Sequence, residues 1–440
     1  MRVLMASTPA TGHINPLLPI GRMLSDEGHD VLVLSGSWLR DRIEAAGLSF
    51  RPLPAGADLD LRDVAAAFPE LTQMPIGMER MRLTLERVFI DCIAPQHEGL
   101  QEALQDFPAD VVVGDNTLFG VLPMLLGPVS KRPPVVLCGT SFLHWRRDDG
   151  APHFLGLPPA DTPSQRAEYA AVAQEYDRVV ERPVGRRLNA VLKDLGVGPP
   201  TMKLWESVVA LADSYLQLSV PGFEFVRRFP ASVSFVGALP IVPNQAPIPS
   251  WANDLDGSRK VVLVTQGTVA NHDFGLLIGP ALTALADEPD VLVVVTTGGR
   301  SIDALPCSIP ANARVATYLP FEWLLPKVDV LVTNGGYGTV NQALSFGIPL
   351  VTAGLTEDKA DVNARVAWSG VGIDLETNQA EAEPLGRAVR AVLDQLHYRA
   401  RAAQIAAEFC AIDTRSEVVR IVTQAARPAK RRAPRQRQAA

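Results

Sequence analysis

Continuous apolar runs recur along the chain, each followed by a short turn and then by a stretch whose apolar residues fall on one helical face. Arg2–Ala6, Val31–Leu34, Val111–Val113 and Pro134–Cys138 are such runs in the first half, and Lys260–Thr265, Val291–Thr296 and Val328–Val332 in the second. A run with no polar alternation predicts a strand covered on both faces, the setting of a parallel sheet. Between the first two strands Leu17, Ile20 and Leu24 line a helix that Gly28 ends, with Asn15 and Pro16 read as its N-cap and first residue. Apolar residues keep helical spacing between Ile76 and Ile93, and Thr162 to Leu195 reads as charged amphipathic helix. Strand–helix–strand order predicts an α/β fold.

The pattern runs twice. A first series occupies residues 1–218, the stretch 219–248 is rich in proline and glycine and reads as a linker, and a second series starts at 249. With 440 residues the chain exceeds one ordinary core, which agrees with two domains. Ligand loops at the strand carboxyl ends of two such sheets imply a cleft between them.

Two turns carry candidate chemistry. Asn334-Gly335-Gly336-Tyr337-Gly338-Thr339 lies between a buried strand and a helix whose apolar positions Val340, Ala343 and Leu344 run on to Gly347 and Pro349. Glycines let a ligand approach the backbone, and the free N–H groups of a first helical turn suit a diphosphate, with the Thr339 hydroxyl as a further donor. A tight turn without a ligand would use the same glycines. At the other end of the chain, Ser7 to His13 follows the first strand, which places His13 in a loop at a strand carboxyl end. A helix N-terminus beside it predicts a neutral imidazole able to accept a proton; a structural histidine is the alternative.

Composition narrows the classes. A 47% hydrophobic content supports large buried sheets, while 20% charged residues and the lack of an 18-residue apolar run predict a soluble protein with no integral membrane contact. No basic region precedes the first apolar stretch, so a cytoplasmic location is expected. Cys92, Cys138, Cys307 and Cys410 lack paired spacing, which indicates neither a disulfide framework nor a zinc site and predicts buried thiols. The net charge of −7 includes a basic C-terminus, Arg427, Lys430, Arg431, Arg432, Arg435 and Arg437, with no acidic residue after Glu417. Residues 427–440 have little to bury and read as a disordered tail. The rest of the chain is acidic and would repel nucleic acid, so none is expected as a partner.

Gly12-His13-Ile14-Asn15-Pro16, Gln266-Gly267-Thr268 and the Gly-Gly-x-Gly-Thr turn running on to Ala343-Leu344 and Gly347-x-Pro349 resemble the UDP-glycosyltransferases, the large natural-product and macrolide glycosyltransferase family. The likeness spans nearly the whole chain. It implies the GT-B fold, two facing Rossmann-like parallel-sheet domains with an interdomain cleft. The acceptor would bind residues 1–218 and the nucleotide sugar 249–398, with a C-terminal helix over 399–426 packing back on the first domain.

The resemblance assigns roles. His13 looks like the general base and Asp115 like the carboxylate that holds the other imidazole nitrogen, a helix N-cap being the alternative for Asp115. With no clustered carboxylates for a metal, the amides of Gly336, Tyr337 and Gly338 with Thr339 and Thr268 would stabilise the leaving diphosphate, which implies metal-independent, inverting transfer without a cofactor. Gly12, Tyr318 as a base-stacking ring, and Leu319 complete the donor side. Asn334 stands where the family has a histidine and carries no positive charge, and Gln342 replaces the glutamate that receives the ribose hydroxyls. Glu357 and Asp358 occupy the place of the residues that read the sugar. Phe68, Met74, Met78, Phe89, Phe119, Phe142 and Trp145 are candidates for an apolar acceptor lining, or for core.

The expected reaction moves a hexose from UDP-glucose to a hydroxyl of a small hydrophobic acceptor such as a flavonoid or polyketide. A transferase of dTDP-deoxysugars is the first alternative. A nucleotide-sugar epimerase and a non-catalytic binder come after it, and a base–carboxylate pair argues against the binder.

Overall fold

The computed structural model describes residues 1–62, 64–241, 246–268 and 271–427. Its first sheet holds seven parallel strands, β1 (Arg2–Ala6), β2 (Asp30–Ser35), β3 (Ser49–Pro52), β4 (Val111–Asp115), β5 (Val135–Gly139), β6 (Ser214–Gln217) and β7 (Val233–Phe235), in the order β3-β2-β1-β4-β5-β6-β7. The second holds six, β8 (Lys260–Thr265), β9 (Val291–Thr296), β10 (Ala313–Ala316), β11 (Val330–Thr333), β12 (Leu350–Thr352) and β13 (Gly372–Asp374), in the order β10-β9-β8-β11-β12-β13. Both are doubly wound sheets of Rossmann type, in which the strand order reverses between the first and fourth strands and leaves a crevice at their carboxyl ends.

The continuous apolar runs form these strands because helices cover both faces. Leu4 and Val112 bury in one core while their neighbours Val3, Met5, Val111 and Val113 bury in another on the opposite face. Every residue of β4, β5 and β9 is buried.

Several sequence expectations change. The stretch 219–248 is not only a linker: Val233–Phe235 within it pairs with β6 as the edge of the first sheet. The first helix spans Thr11–Asp26, because Ala10 is extended and the Ile14 N–H closes onto its carbonyl at 3.0 Å, a turn before Pro16. Pro16 and Pro19 lie inside that helix, and His13 sits in its first turn rather than in a loop. Between Ile76 and Ile93 the chain is helix Met78–Thr84 followed by a π-helical turn, Leu85–Ile90. Cys92 and Cys138 are buried, whereas Cys307 is half-buried and Cys410 exposed.

The C-terminal region is two helices. Leu396–Cys410 stays on the second domain, burying Ala402, Ile405 and Phe409 beside Ala343 and Leu344. The chain turns at Asp413, whose carboxylate accepts the Ser416 N–H at 3.0 Å, and helix Thr414–Ala426 crosses to the first domain. There Val418, Ile421, Val422 and Ala425 join Val3, Leu17 and Val113 in one core. The tail expected over 427–440 lies, from Pro428 onward, outside the described residues. Among the described residues no helix is long and apolar enough to cross a membrane.

Candidate active site

The topology brings four turns to two crevices. Ser7–His13 follows β1 and Asp115 ends β4, so this pair straddles the reversal point of the first sheet. Gln266–Thr268 follows β8 and Asn334–Gly338 follows β11, which places them at the same point of the second sheet.

Asp115 is fully buried, and its carboxylate is saturated with donors. Oδ2 accepts the Thr8 N–H at 2.7 Å, and Oδ1 accepts the Thr117 N–H at 2.9 Å and the Thr117 hydroxyl at 2.6 Å. His13 Nδ1 lies 3.1 Å from Asp115 Oδ1. A carboxylate only accepts, so Nδ1 carries the proton and the Nε2 lone pair is left for a substrate. The Thr117 and Thr140 hydroxyls flank Nδ1 at 3.1 and 3.2 Å. The ring is 21% exposed.

Electrostatics correct one expectation. Burial alone would lower the His13 pKa, but the Asp115 carboxylate outweighs it and the net shift is upward, with Asp358 adding to the rise. Asp115 moves the other way: burial would raise it, yet the charge of His13 and the Thr117 and Thr8 hydrogen bonds hold it below the usual carboxylate range. Asp115 thus stabilises the imidazolium form of His13, so the carboxylate and not the helix N-terminus sets the direction of the shift.

Sequence reasoning missed the groups around this pair. Thr140 donates from its amide and hydroxyl to Asn116 Oδ1, at 3.1 and 2.8 Å, which fixes the Asn116 amide so that its NH₂ donates to His144 Nδ1 at 3.2 Å. His144 is a second histidine close to the site. Burial, then Arg365, pushes its pKa down to about 3, which removes it as a general base at neutral pH. The available signal was positional, since Thr140 directly follows β5.

On the donor side the glycines have distinct causes. Gly335 has φ +94°, and a Cβ there would stand 1.9 Å from Asn363 Oδ1, so only glycine fits. Gly336 and Gly338 would meet nothing within 4 Å, and the space over the turn is open. The helix that begins at Tyr337 runs to Ser345, so the Gly338 and Thr339 amides stand in its first turn. Asn334 donates its side-chain amide to the Gln266 carbonyl at 2.9 Å, tying the two donor turns together. Thr268 and Gly338 are exposed, Thr339 and Gln342 half-buried, and Gly12 opens to solvent on the first domain. Tyr318 is 50% exposed and lines a cleft of about 420 Å³ with Ala246, Pro247, Pro249, Ile302, Ala316 and Thr317. Leu319 beside it is core.

Tyr337 does more than lend an amide. Its ring is buried between the domains, and its hydroxyl accepts from Gln217 Nε2 at 2.6 Å, while Ser219 donates to Asn341 Oδ1 at 2.6 Å. Across the same gap the Ser141 hydroxyl donates to Asp358 Oδ2 at 2.6 Å. Burial raises the Asp358 carboxyl despite Lys359 and Ser141. Glu357 is exposed and pairs with Lys359. Of the acceptor candidates, Phe68, Met74, Met78, Phe89 and Trp145 are partly exposed. Phe119 and Phe142 are fully enclosed: Phe119 packs on Trp205, and the Arg365 guanidinium covers Phe142 at 4.5 Å, so neither can touch a ligand.

The arrangement leaves an imidazole lone pair available on one domain and free helix-start amides in an open turn on the other. Residues 281–425 match the family model of the erythromycin biosynthesis protein CIII-like C-terminal domain. The chain is 40% identical over 426 residues to the 4'-demethylrebeccamycin synthase of Lentzea aerocolonigenes, covering 96% of this chain and 98% of that protein. It is 38% identical to UDP-glycosyltransferase 2 of Phaeomoniella chlamydospora, over 93% of this chain and 92% of that one. Among solved structures the calicheamicin glycosyltransferase superposes with a TM-score of 0.72 at 21% identity, over 96% of this chain and 98% of that chain, a likeness of fold.

Proposed function

The chain belongs to the UDP-glycosyltransferase family and is a glycosyltransferase of natural-product biosynthesis, and we propose that it moves glucose from UDP-glucose to a hydroxyl of a small apolar acceptor with inversion at the anomeric carbon. The observation that carries this reading is the His13–Asp115 pair at the crevice of the first sheet, on a domain that the Ser141–Asp358 hydrogen bond ties to the domain bearing the Gly335–Gly338 turn. Family membership sets aside the epimerase and non-catalytic alternatives.

His13 Nε2 takes the acceptor proton as the hydroxyl oxygen attacks, and Asp115 stabilises the imidazolium that forms. Charge building on the departing diphosphate is met by the first-turn amides of helix Tyr337–Ser345 and the Thr339 hydroxyl, with no metal assigned to the step. The name of the 38%-identical relative supports UDP as the nucleotide. Glucose is favoured because Glu357 and Asp358 occupy the place where the family reads the sugar hydroxyls; Asp358 accepts from Ser141 and Glu357 pairs with Lys359, and hexose hydroxyls would compete for these carboxylates where a deoxysugar offers one fewer. The partly exposed Phe68, Met74, Met78, Phe89 and Trp145 suit a flat apolar acceptor such as a flavonoid or polyketide.

UDP-glucose and a dTDP-deoxysugar offered together with a panel of phenolic and polyketide alcohols, with product masses read out, test the donor. A dominant hexosyl product is expected; a dominant deoxysugar product reverses the choice.

The pH profile tests the base. His13 must be unprotonated to act, and its pKa is raised, so the acid limb of turnover should lie above the ordinary imidazole value of about 6.5. Asp115→Asn removes the charge that raises it and leaves burial, which lowers it. The limb should therefore move to lower pH while the plateau falls. An acid limb that stays in place in Asp115→Asn means that another group titrates there.

A further inference from the structure

The anion cradle has neutral side chains and an acidic rim. Asn334, Thr339 and Thr268 carry no charge, while Glu357, Asp358 and Asp361 crowd the loop after β12 and the helix Lys359–Trp368 that follows it. A helix N-terminus contributes roughly half a positive charge. That is less than a diphosphate requires beside three carboxyl groups.

Two cations of the helix Lys359–Trp368 stand by these carboxyl groups: Arg365, buried between Asp361 and Glu224, and Lys359, nearest the turn. The Lys359 side chain is only 9% exposed, and its ammonium is held by Glu357. Its stem reaches the phosphate turn through Gly354: a Cβ on Gly354 would lie 3.1 Å from Lys359 Cδ and 2.2 Å from the Asn334 carbonyl oxygen. Only a glycine lets the lysine stem and the turn converge there. Glu357 itself holds a left-handed backbone, φ +53°, which a residue with a side chain adopts only against strain. Asp358 is engaged elsewhere, on Ser141 across the cleft. A buried ammonium on a flexible four-carbon stem, held by one mostly exposed carboxylate, is positioned to change partners when a stronger anion arrives.

We propose that Lys359 is the counter-cation of the donor diphosphate, passed from Glu357 to the phosphate when the nucleotide sugar binds. This rests on the reading of the donor as a nucleoside-diphosphate sugar. The exchange is one of ion pairs, with no covalent step. Glu357 thereby acts as a competitor for the cation, and the two residues of one salt bridge have opposite effects on nucleotide affinity.

Calorimetric titration of the full chain with UDP and with UMP separates the possibilities. Lys359→Met should weaken UDP by a factor of about 10 to 100, the worth of one charge-assisted contact, and UMP far less. Lys359→Arg should restore most of the UDP affinity, and Glu357→Gln should leave it unchanged or tighten it. UDP affinity that survives Lys359→Met overturns the assignment. So does an equal loss in Lys359→Met and Glu357→Gln, which would make the pair a structural clasp. A parent chain that binds neither UDP nor dTDP instead overturns the donor reading beneath it.

Discussion

Replacing His13 with alanine is expected to lower turnover by a factor of about 100 to 10,000, the usual contribution of a positioned general base. The expectation rests on geometry before pKa. Nδ1 is committed to Asp115 at 3.1 Å with Thr117 and Thr140 beside it, so the ring has one nitrogen for the acceptor. His144, a second histidine of this region, is buried and neutral and cannot substitute. The amides that bear on the donor belong to the other domain, so UDP affinity should change little, and the loss should appear in turnover rather than in nucleotide binding. Asp115 keeps its hydrogen bonds to Thr8 and Thr117 in the variant, which favours an intact fold. Single-turnover measurements with saturating donor and acceptor report the chemical step. A His13→Ala enzyme that matches the parent there would remove the histidine from the mechanism.

Much of this site is legible in the sequence because each half is local. A buried strand followed by Gly-Gly-x-Gly-Thr and a helix specifies an open turn with free helix-start amides within about ten residues, and Gly12-His13 after β1 specifies the histidine at the crevice of the first sheet. What the sequence hides depends on partners far along the chain. Asp115 and His13 are a hundred residues apart, and the sequence alone could not show that the carboxylate would outweigh burial and raise the imidazole. Pro16 suggested a helix start, since proline favours first turns, yet the Ala10 carbonyl starts the helix earlier. β7 escaped because three half-buried residues, Val233, Ser234 and Phe235, lie among prolines and glycines. Tyr337 reads as part of a phosphate turn, while its hydroxyl fastens one domain to the other through Gln217. Phe119 and Phe142 resemble acceptor contacts in composition and prove to be core, because aromatic residues serve both ends equally well.

The strongest hidden feature is the buried ionic cluster that joins the two halves, and removing Glu224, the carboxylate that its two arginines share, should be the most destabilising change in the molecule. Glu224, 3% exposed, lies in the stretch after β6, and its Oε1 accepts Nε and Nη2 of Arg365 at 2.9 and 2.7 Å and Nη1 of Arg227 at 2.8 Å. Arg365 comes from helix Lys359–Trp368 of the second domain and lies over the rings of Phe142 and Phe225, at 4.5 and 4.1 Å. Burial would raise the Glu224 pKa, but Arg365 and then Arg227 overrule it and bring it down to about 2. A depressed carboxyl contributes stability that is present above its unfolded value, about 4.3, and lost as pH falls toward 2. Glu224→Gln takes the carboxylate from Arg227 and leaves Arg365 only the more distant Asp361 at 3.7 Å in a dry interior, and a broken buried pair costs about 3–5 kcal/mol. The melting temperature should fall by on the order of 10 °C at neutral pH. Arg365→Met should cost less, because Arg227 still pairs with Glu224. Glu224→Gln combined with Arg365→Met should be no worse than Glu224→Gln alone, since the second change removes one of the stranded cations. Strictly additive losses in that cycle would show that the three residues act independently, and a Glu224→Gln protein melting within a degree or two of the parent would show that the cluster does not hold the domains together.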